Sequence, residues 1–231
     1  IRRPRPDDFQ IKEAAELIKK SKKPIIIAGG GVFYSDATDE LSDFAKKHNI
    51  PVTQTVMGYS SMKKDHTHYL GTIGGLGGRA ANNLSKETDT AIAIGTKLAD
   101  FTTGSWANFE NPNFKLVSIN AARFDANKHM AQAIVGDAKV SLMELSQALG
   151  SWKADDSWHQ KSRKELKDWE AYVDKESEPT NQKLPSYAQV IGACYRNSDP
   201  SDIAVTAAGG LVGEVIQVWK PRELNTHETE W

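Results

Sequence analysis

Residues 22–31 read KKPIIIAGGG, and this stretch decides the fold class. Pro24 ends the preceding segment, and residues 25–27 form a β-branched run without polar alternation. Such a run is typical of a strand that is buried on both faces, as in a parallel sheet covered by helices. Gly29, Gly30 and Gly31 follow at once, as in the glycine turn that opens a doubly wound domain. The stretch therefore predicts a ligand crevice beyond the carboxyl ends of parallel strands.

Strands and helices alternate outward from this stretch as far as about residue 150. Helices are predicted over residues 7–21, 38–48, 79–85 and 138–149, and strands over residues 24–28, 51–55, 89–95, 115–120 and 133–135. Residues 57–78 are predicted as one long glycine-rich loop, and residues 96–113 as a polar loop. Alternating strands and helices imply parallel pairing with right-handed crossovers. The predicted class is α/β, a doubly wound parallel sheet with helices on both faces.

Composition divides the chain into four segments. Residues 1–6 are a proline-rich basic linker, and residues 7–150 form a central domain that resembles a nucleotide-binding domain. Residues 151–185 are dominated by charged residues and tryptophan, which predicts a solvated helix over about residues 156–176 and a linker. Residues 186–231 are predicted to be the incomplete start of a second α/β domain, with a glycine turn but no third element.

Charge and cysteine content exclude several classes of protein. The net charge is −1, from 29 Lys and Arg against 30 Asp and Glu, so no basic excess indicates nucleic acid or an anionic membrane. No apolar run approaches the length of a membrane span. The one cysteine, Cys194, is predicted to be a small core residue, and a chain without disulfides suits a cytoplasmic location. Both ends look cut from a longer polypeptide, because the chain starts without Met and stops abruptly at Trp231.

A classical dinucleotide fingerprint is only half present. Gly29 and Gly31 supply two of its glycines, but Tyr34 stands at the third position, and residues 53–55 offer no acid after the second strand. Residues 75–80 fit G-x-G-x-x-A but follow a loop. Tight turns at strand ends explain the first glycines without any ligand.

Histidine and cysteine spacing indicates no metal site. His66 and His68 are two residues apart in a loop, and no cysteine or carboxylate cluster completes a zinc set. They are predicted to be loop histidines without a role. The residues alone thus predict a crevice of nucleotide type and no catalytic constellation.

Five motifs in a fixed order carry a family resemblance. They are IIIAGGGV at 25–32, GTIGGLGGRAAN at 71–82, IGTKLAD at 94–100, SIN at 118–120 and IVGDAK at 134–139. Together they resemble the central domain of thiamine-diphosphate-dependent enzymes of the acetolactate synthase type, over residues 7 to about 150. Residues 186–231 resemble the start of the diphosphate-binding domain that follows in that family. The sequence of residues 205–231 is most similar to a branch of the family that opens a cyclic dione by hydrolysing a C–C bond in myo-inositol catabolism.

The resemblance implies an enzyme whose catalytic residues lie elsewhere. The family uses thiamine diphosphate and Mg²⁺, with a glutamate from a first domain and a Gly-Asp-Gly motif with an Asn from a third. None of these is found in residues 1–231, so no catalytic residue or metal ligand is expected in this chain. The chain alone is expected to be inactive and mainly a scaffold. The family also implies a small cyclic dione as substrate and a homo-oligomer of at least two subunits.

The resemblance also implies two sets of binding residues. Gly209 and Gly210 correspond to the glycine turn at thiamine diphosphate. A nucleotide crevice is assigned to Gly29, Gly30, Gly31, Gly74, Gly75 and Lys97. Lys97 and Phe101 replace two arginines of the FAD-binding branch, so FAD is not expected. Two alternatives stay open: an acetolactate synthase or 2-oxoacid decarboxylase of the same family, and a non-catalytic module for nucleotide binding or assembly.

Overall fold

Six parallel strands form the main sheet in a computed structural model that describes residues 2–207 and 209–230. The strand order is β3-β2-β1-β4-β5-β6, and every neighbouring pair is parallel. The bounds are β1 Pro24–Ala28, β2 Val52–Gln54, β3 Tyr69–Thr72, β4 Thr90–Ile94, β5 Lys115–Asn120 and β6 Gln132–Val135. The predicted α/β class is confirmed.

The β-branched run of β1 lies at the centre of this sheet. Ile26 aligns with Val52 of β2 on one side and with Ile92 of β4 on the other. All five residues of β1 and of β4 are buried. Burial on both faces explains why these strands carry no polar alternation.

Seven helices or helical turns within residues 2–150 cover the sheet. They are α1 Asp8–Lys19, α2 Gly31–Tyr34, α3 Thr38–His48, α4 Arg79–Glu87, α5 Asp100–Thr103, α6 Arg123–Ala126 and α7 Ala138–Leu149, together with 3₁₀ turns at Val56–Gly58 and Lys128–Met130. Asp7 caps α1 by accepting from the Phe9 N–H, and Asp137 caps α7 by accepting from the Val140 N–H. Helices α1 and α3 both pack on α7, whereas α4 packs on the long helix α8, Asp156–Ser177.

The prediction of one continuous loop over residues 57–78 is wrong. Strand β3 lies inside it and pairs with β2, with Val52 opposite Tyr69 and Gln54 opposite Thr72 across an irregular register. The strand has only four residues, and one of them is Gly71 with a φ of 85°. Such a segment carries little periodicity of its own, so its pairing with β2 decides its structure.

A long helix connects the sheet to a second, smaller unit. Helix α8 spans Asp156–Ser177, and its Trp158 is buried and donates its indole N–H to the Pro24 carbonyl at 2.8 Å. The smaller unit contains α9 Tyr187–Arg196, β7 Ala204–Ala207, α10 Gly210–Val218 and β8 His227–Glu230. No helix within the described residues is long and apolar enough to cross a membrane.

Two predictions for the smaller unit are wrong. A third element does exist, because β8 pairs with β7 in parallel, with Thr206 opposite Thr229. The sequence HETE lacks an apolar pattern, so it gave no strand signal. Cys194 is exposed, because α9 turns Ile191 and Gly192 inward instead. Ala208 of the glycine turn and Trp231 at the end of the resembling segment lie outside the described residues.

Candidate ligand-binding crevice

A cavity of about 720 Å³ opens at the carboxyl ends of the sheet strands. The chain places β2 and β3 on one side of β1 and β4 on the other, so the strand order reverses between β1 and β4. Ligands of open α/β sheets bind at such a switch point. The lining residues follow the strands: Gly30 and Gly31 after β1, Thr55 to Met57 after β2, Gly95 to Lys97 after β4, Asn120 to Ala122 after β5, and Gly136 and Ala138 after β6.

Gly29 and Gly31 allow two strand-end loops to touch. The Gly31 N–H donates to the Gly95 carbonyl at 3.0 Å, and Gly95 takes a φ of 60°. A Cβ on Gly31 would lie 2.6 Å from the Gly95 Cα, and a Cβ on Gly29 would lie 2.6 Å from the Thr96 Cβ. The close approach of the two backbones thus explains why both positions are glycine.

The structure separates the six residues assigned to the nucleotide crevice. Gly30, Gly31 and Lys97 line the cavity. Gly29 lies beneath it, against the loop after β4. Gly74 has a φ of 106° and packs under the backbone of Phe101 and Thr102.

Gly75 faces a second cavity. Its N–H donates to the Phe101 carbonyl at 2.7 Å, and it lines a space of about 840 Å³ together with Gly210. Trp169 and Tyr172 of α8 stack on each other at the wall of this space, with ring centroids 5.4 Å apart. Residues 57–78 therefore contribute to both cavities, with Met57 at the cavity of the switch point and Gly75 at the second cavity.

Gly209 and Gly210 form an open turn at the start of α10. Gly209 takes a φ of 139° as the N-terminal cap residue, and its cap carries no side-chain hydrogen bond. No atom lies within 4 Å of a Cβ built on either glycine. The turn fits a backbone contact to a diphosphate group.

Metal-ligating side chains do not cluster among the described residues. No group of three or more His, Cys, Asp or Glu stands there in a position to hold a metal ion. His66 and His68 instead form a ring cluster with His159 of α8, in which His68 and His159 stack with centroids 4.2 Å apart.

The sequence analysis did not identify several residues that line the cavity at the switch point. Tyr34 replaces the third glycine of the fingerprint, and its exposed ring borders the cavity. Asn120 lies at the carboxyl end of β5, and Asp125 lies in the short helix that follows. The end of a predicted parallel strand is a signal that could have identified Asn120. Asp125 has no such signal, because a four-residue helix brings it back over the sheet.

Comparisons with known proteins place the chain in a family. A family described as "Thiamine pyrophosphate enzyme, central domain" matches residues 11–145, more than half of the chain. Proteins named 3D-(3,5/4)-trihydroxycyclohexane-1,2-dione hydrolase are similar over the whole chain. The one from Clostridium perfringens strain 13 is 33% identical, and the one from Clostridium botulinum strain Alaska E43 is 35% identical. The chain spans about 40% of the length of each of these relatives. The chain therefore belongs to the thiamine pyrophosphate enzymes, and residues 11–145 are their central domain.

Proposed function

We propose that this chain is part of a thiamine-diphosphate-dependent hydrolase of myo-inositol catabolism. The enzyme would open trihydroxycyclohexane-1,2-dione to 5-deoxy-glucuronate by hydrolysing a C–C bond. One observation carries the proposal: the similarity to proteins named as this hydrolase extends over 100% of the chain. It therefore includes residues 186–231, which lie beyond the segment matched by the central domain.

This chain would act mainly as a scaffold in that enzyme. Thiamine diphosphate supplies the electron sink for carbanion chemistry when it is bound. The open turn at Gly209 and Gly210 would contribute backbone N–H groups to the diphosphate. No group of three or more His, Cys, Asp or Glu occurs together among the described residues, and we propose that the ion and the catalytic carboxylate belong to other parts of the protein.

The state of the whole protein is part of the same proposal. We propose a cytoplasmic homo-oligomer of at least two subunits that binds Mg²⁺ and a small cyclic dione. The support is the family resemblance, which implies a homo-oligomer of at least two subunits.

The test uses the natural gene product that carries this chain. Purified protein is incubated with thiamine diphosphate, Mg²⁺ and the cyclic dione, and 5-deoxy-glucuronate is measured by mass spectrometry. The proposal predicts product that depends on the cofactor. Acetolactate from pyruvate, or carbon dioxide from a 2-oxoacid, without dione opening would favour the alternative enzymes. Absence of all three activities would favour a non-catalytic assembly module.

A further inference from the structure

The cavity at the switch point is poor in charge. Its charged lining residues are Lys97 and Asp125. Asp125 is already neutralised, because its Oδ1 lies 2.7 Å from the Lys128 Nζ. Much of the remaining wall is apolar, with Val56, Ile119 and Ala138 among its residues. A ligand therefore meets an apolar surface with one uncompensated positive charge.

Neutral polar side chains of the cavity are already engaged within the protein. The Ser35 hydroxyl accepts from the Ala138 N–H at 3.3 Å, and the Thr55 hydroxyl accepts from the Gly58 N–H at 3.1 Å. Asn120 accepts from the Ala122 N–H at 2.9 Å and donates to the Thr96 carbonyl at 3.3 Å. The Ser35 and Thr55 hydroxyls nevertheless keep their O–H donors, so neutral donors stand beside the Lys97 ammonium for an anionic ligand.

Lys97 differs from the other cations of this region. Its ammonium has no hydrogen-bond or ion-pair partner within residues 2–207 and 209–230, and the side chain is exposed at the cavity. Lys139 lies 3.1 Å from a Glu40 oxygen, and Arg3 lies 2.9 Å from an Asp137 oxygen, so both are compensated. Lys97 is thus a cation of the lining that is available to an anion from outside.

We propose that this cavity binds a monoanion with an apolar body, namely an aromatic or long-chain carboxylic acid. Its carboxylate would bind the Lys97 ammonium, and its hydrocarbon part would fill the cavity beyond the carboxyl ends of β1 and β4. A volume of about 720 Å³ lies within the range of small-molecule sites. A nucleoside diphosphate suits the site less well, because it brings more than one negative charge to a single free lysine. This proposal does not depend on the ring-opening activity proposed for the whole enzyme.

The experiment titrates the 231-residue protein with 11-(dansylamino)undecanoic acid and follows dansyl fluorescence. The methyl ester of the same compound is the neutral comparison, since it keeps the apolar body and lacks the charge. We expect the acid to bind at least about tenfold more tightly than the ester, as a charge-assisted contact would produce. Lys97→Met should bring the acid to the affinity of the ester and leave the ester unchanged.

Two further variants control for surface binding and folding. Lys164→Met removes an exposed lysine of α8, outside the cavity, and should change neither affinity. Ala99→Trp places a large ring at an exposed lining position and should weaken both the acid and the ester. Circular dichroism checks that all three variants are folded.

Four results would overturn the proposal. The first three are no saturable binding of the acid, equal affinities for the acid and the ester, and an unchanged acid affinity in Lys97→Met. The fourth is displacement of the bound acid by ADP or FAD at concentrations below the dissociation constant of the acid.

Discussion

At the residue scale, Ile26 shows how much one side chain contributes to the sheet. It is fully buried in β1, between Val52 and Ile92 of the neighbouring strands. Truncation of a buried isoleucine leaves a cavity that a close-packed core refills only in part.

We predict that Ile26→Ala lowers the free energy of unfolding by about 2–5 kcal/mol, measured by urea denaturation. Leu184→Ala is the control, because Leu184 is 79% exposed, and it should change stability by less than about 0.5 kcal/mol. Similar losses in both variants would show that Ile26 is not a core residue.

Gly29 is a second residue that affects stability, because its lack of a side chain allows two loops to approach closely. We predict that Gly29→Ala destabilises the protein by about 1–3 kcal/mol, because its Cβ would fall 2.6 Å from the Thr96 Cβ. Gly210→Ala is the matched control. It stands at the first residue of α10 with open space around it, and alanine favours helix. The melting temperature should therefore fall clearly more in Gly29→Ala than in Gly210→Ala. An equal fall in both variants would contradict the geometry.

At the element scale, histidines join α8 to the segment before β3. The His159 Nε2 donates to the Thr67 carbonyl at 2.9 Å, and its ring stacks on His68. His68 is buried, and its Nε2 donates to the Asn49 Oδ1 at 3.1 Å. Burial, with His159, His66, Arg163 and Lys46 nearby, lowers the pKa of His68 to about 4. The fold therefore holds this ring in the neutral form.

The lowered pKa of His68 predicts acid-sensitive stability. Between pH 6.5 and about 4 the unfolded chain binds a proton that the folded His68 does not bind. Stability is therefore lost as the pH falls through this window, by at most about 1.4 kcal/mol per pH unit for this group. Urea denaturation of His68→Gln at several pH values should show a shallower loss than the unmodified protein.

Leu184→Ala is also the control for the acid experiment, because Leu184 is exposed and its side chain does not titrate. It should leave the slope of stability against pH unchanged. The same slope in His68→Gln and in the unmodified protein would contradict a neutral, buried His68. His227 contributes to the remaining slope, because burial lowers its pKa to about 4 as well.

At the scale of the whole molecule, the sheet domain carries a formed cavity, whereas the smaller unit has two paired strands. Several of its apolar side chains are exposed, among them Tyr187, Ile203 and Val205. A two-stranded sheet with such exposure has little core of its own. The Gly209 turn therefore lies in the unit that has the smaller hydrophobic core.

We predict that the purified 231-residue chain turns over neither the cyclic dione nor pyruvate, even with saturating thiamine diphosphate and Mg²⁺. Holding the ion requires hard oxygen ligands, and no suitable cluster occurs among the described residues. The measurement is product formation by mass spectrometry, with the natural gene product as positive control. Activity of the chain above background would mean that the catalytic residues lie within it.

The sequence by itself determined what depends on local patterning. The apolar segments of β1 and β4 predicted buried strands, and α3 and α7 have the bounds that were predicted for them. These signals lie within the segments themselves, because a central strand must be apolar throughout and a helix must bury one face. Lys97 was assigned to the crevice through the family resemblance, and it lines the cavity in the structure.

Only the tertiary structure decided the short strands and the composition of the site. Strands β3 and β8 have four residues each and little pattern, and hydrogen bonds from β2 and β7 define them. The cavity combines loops after five strands, and the division of the glycines between two cavities follows from which loops touch. Such contacts join residues far apart in the chain, and no periodicity within a single segment encodes them.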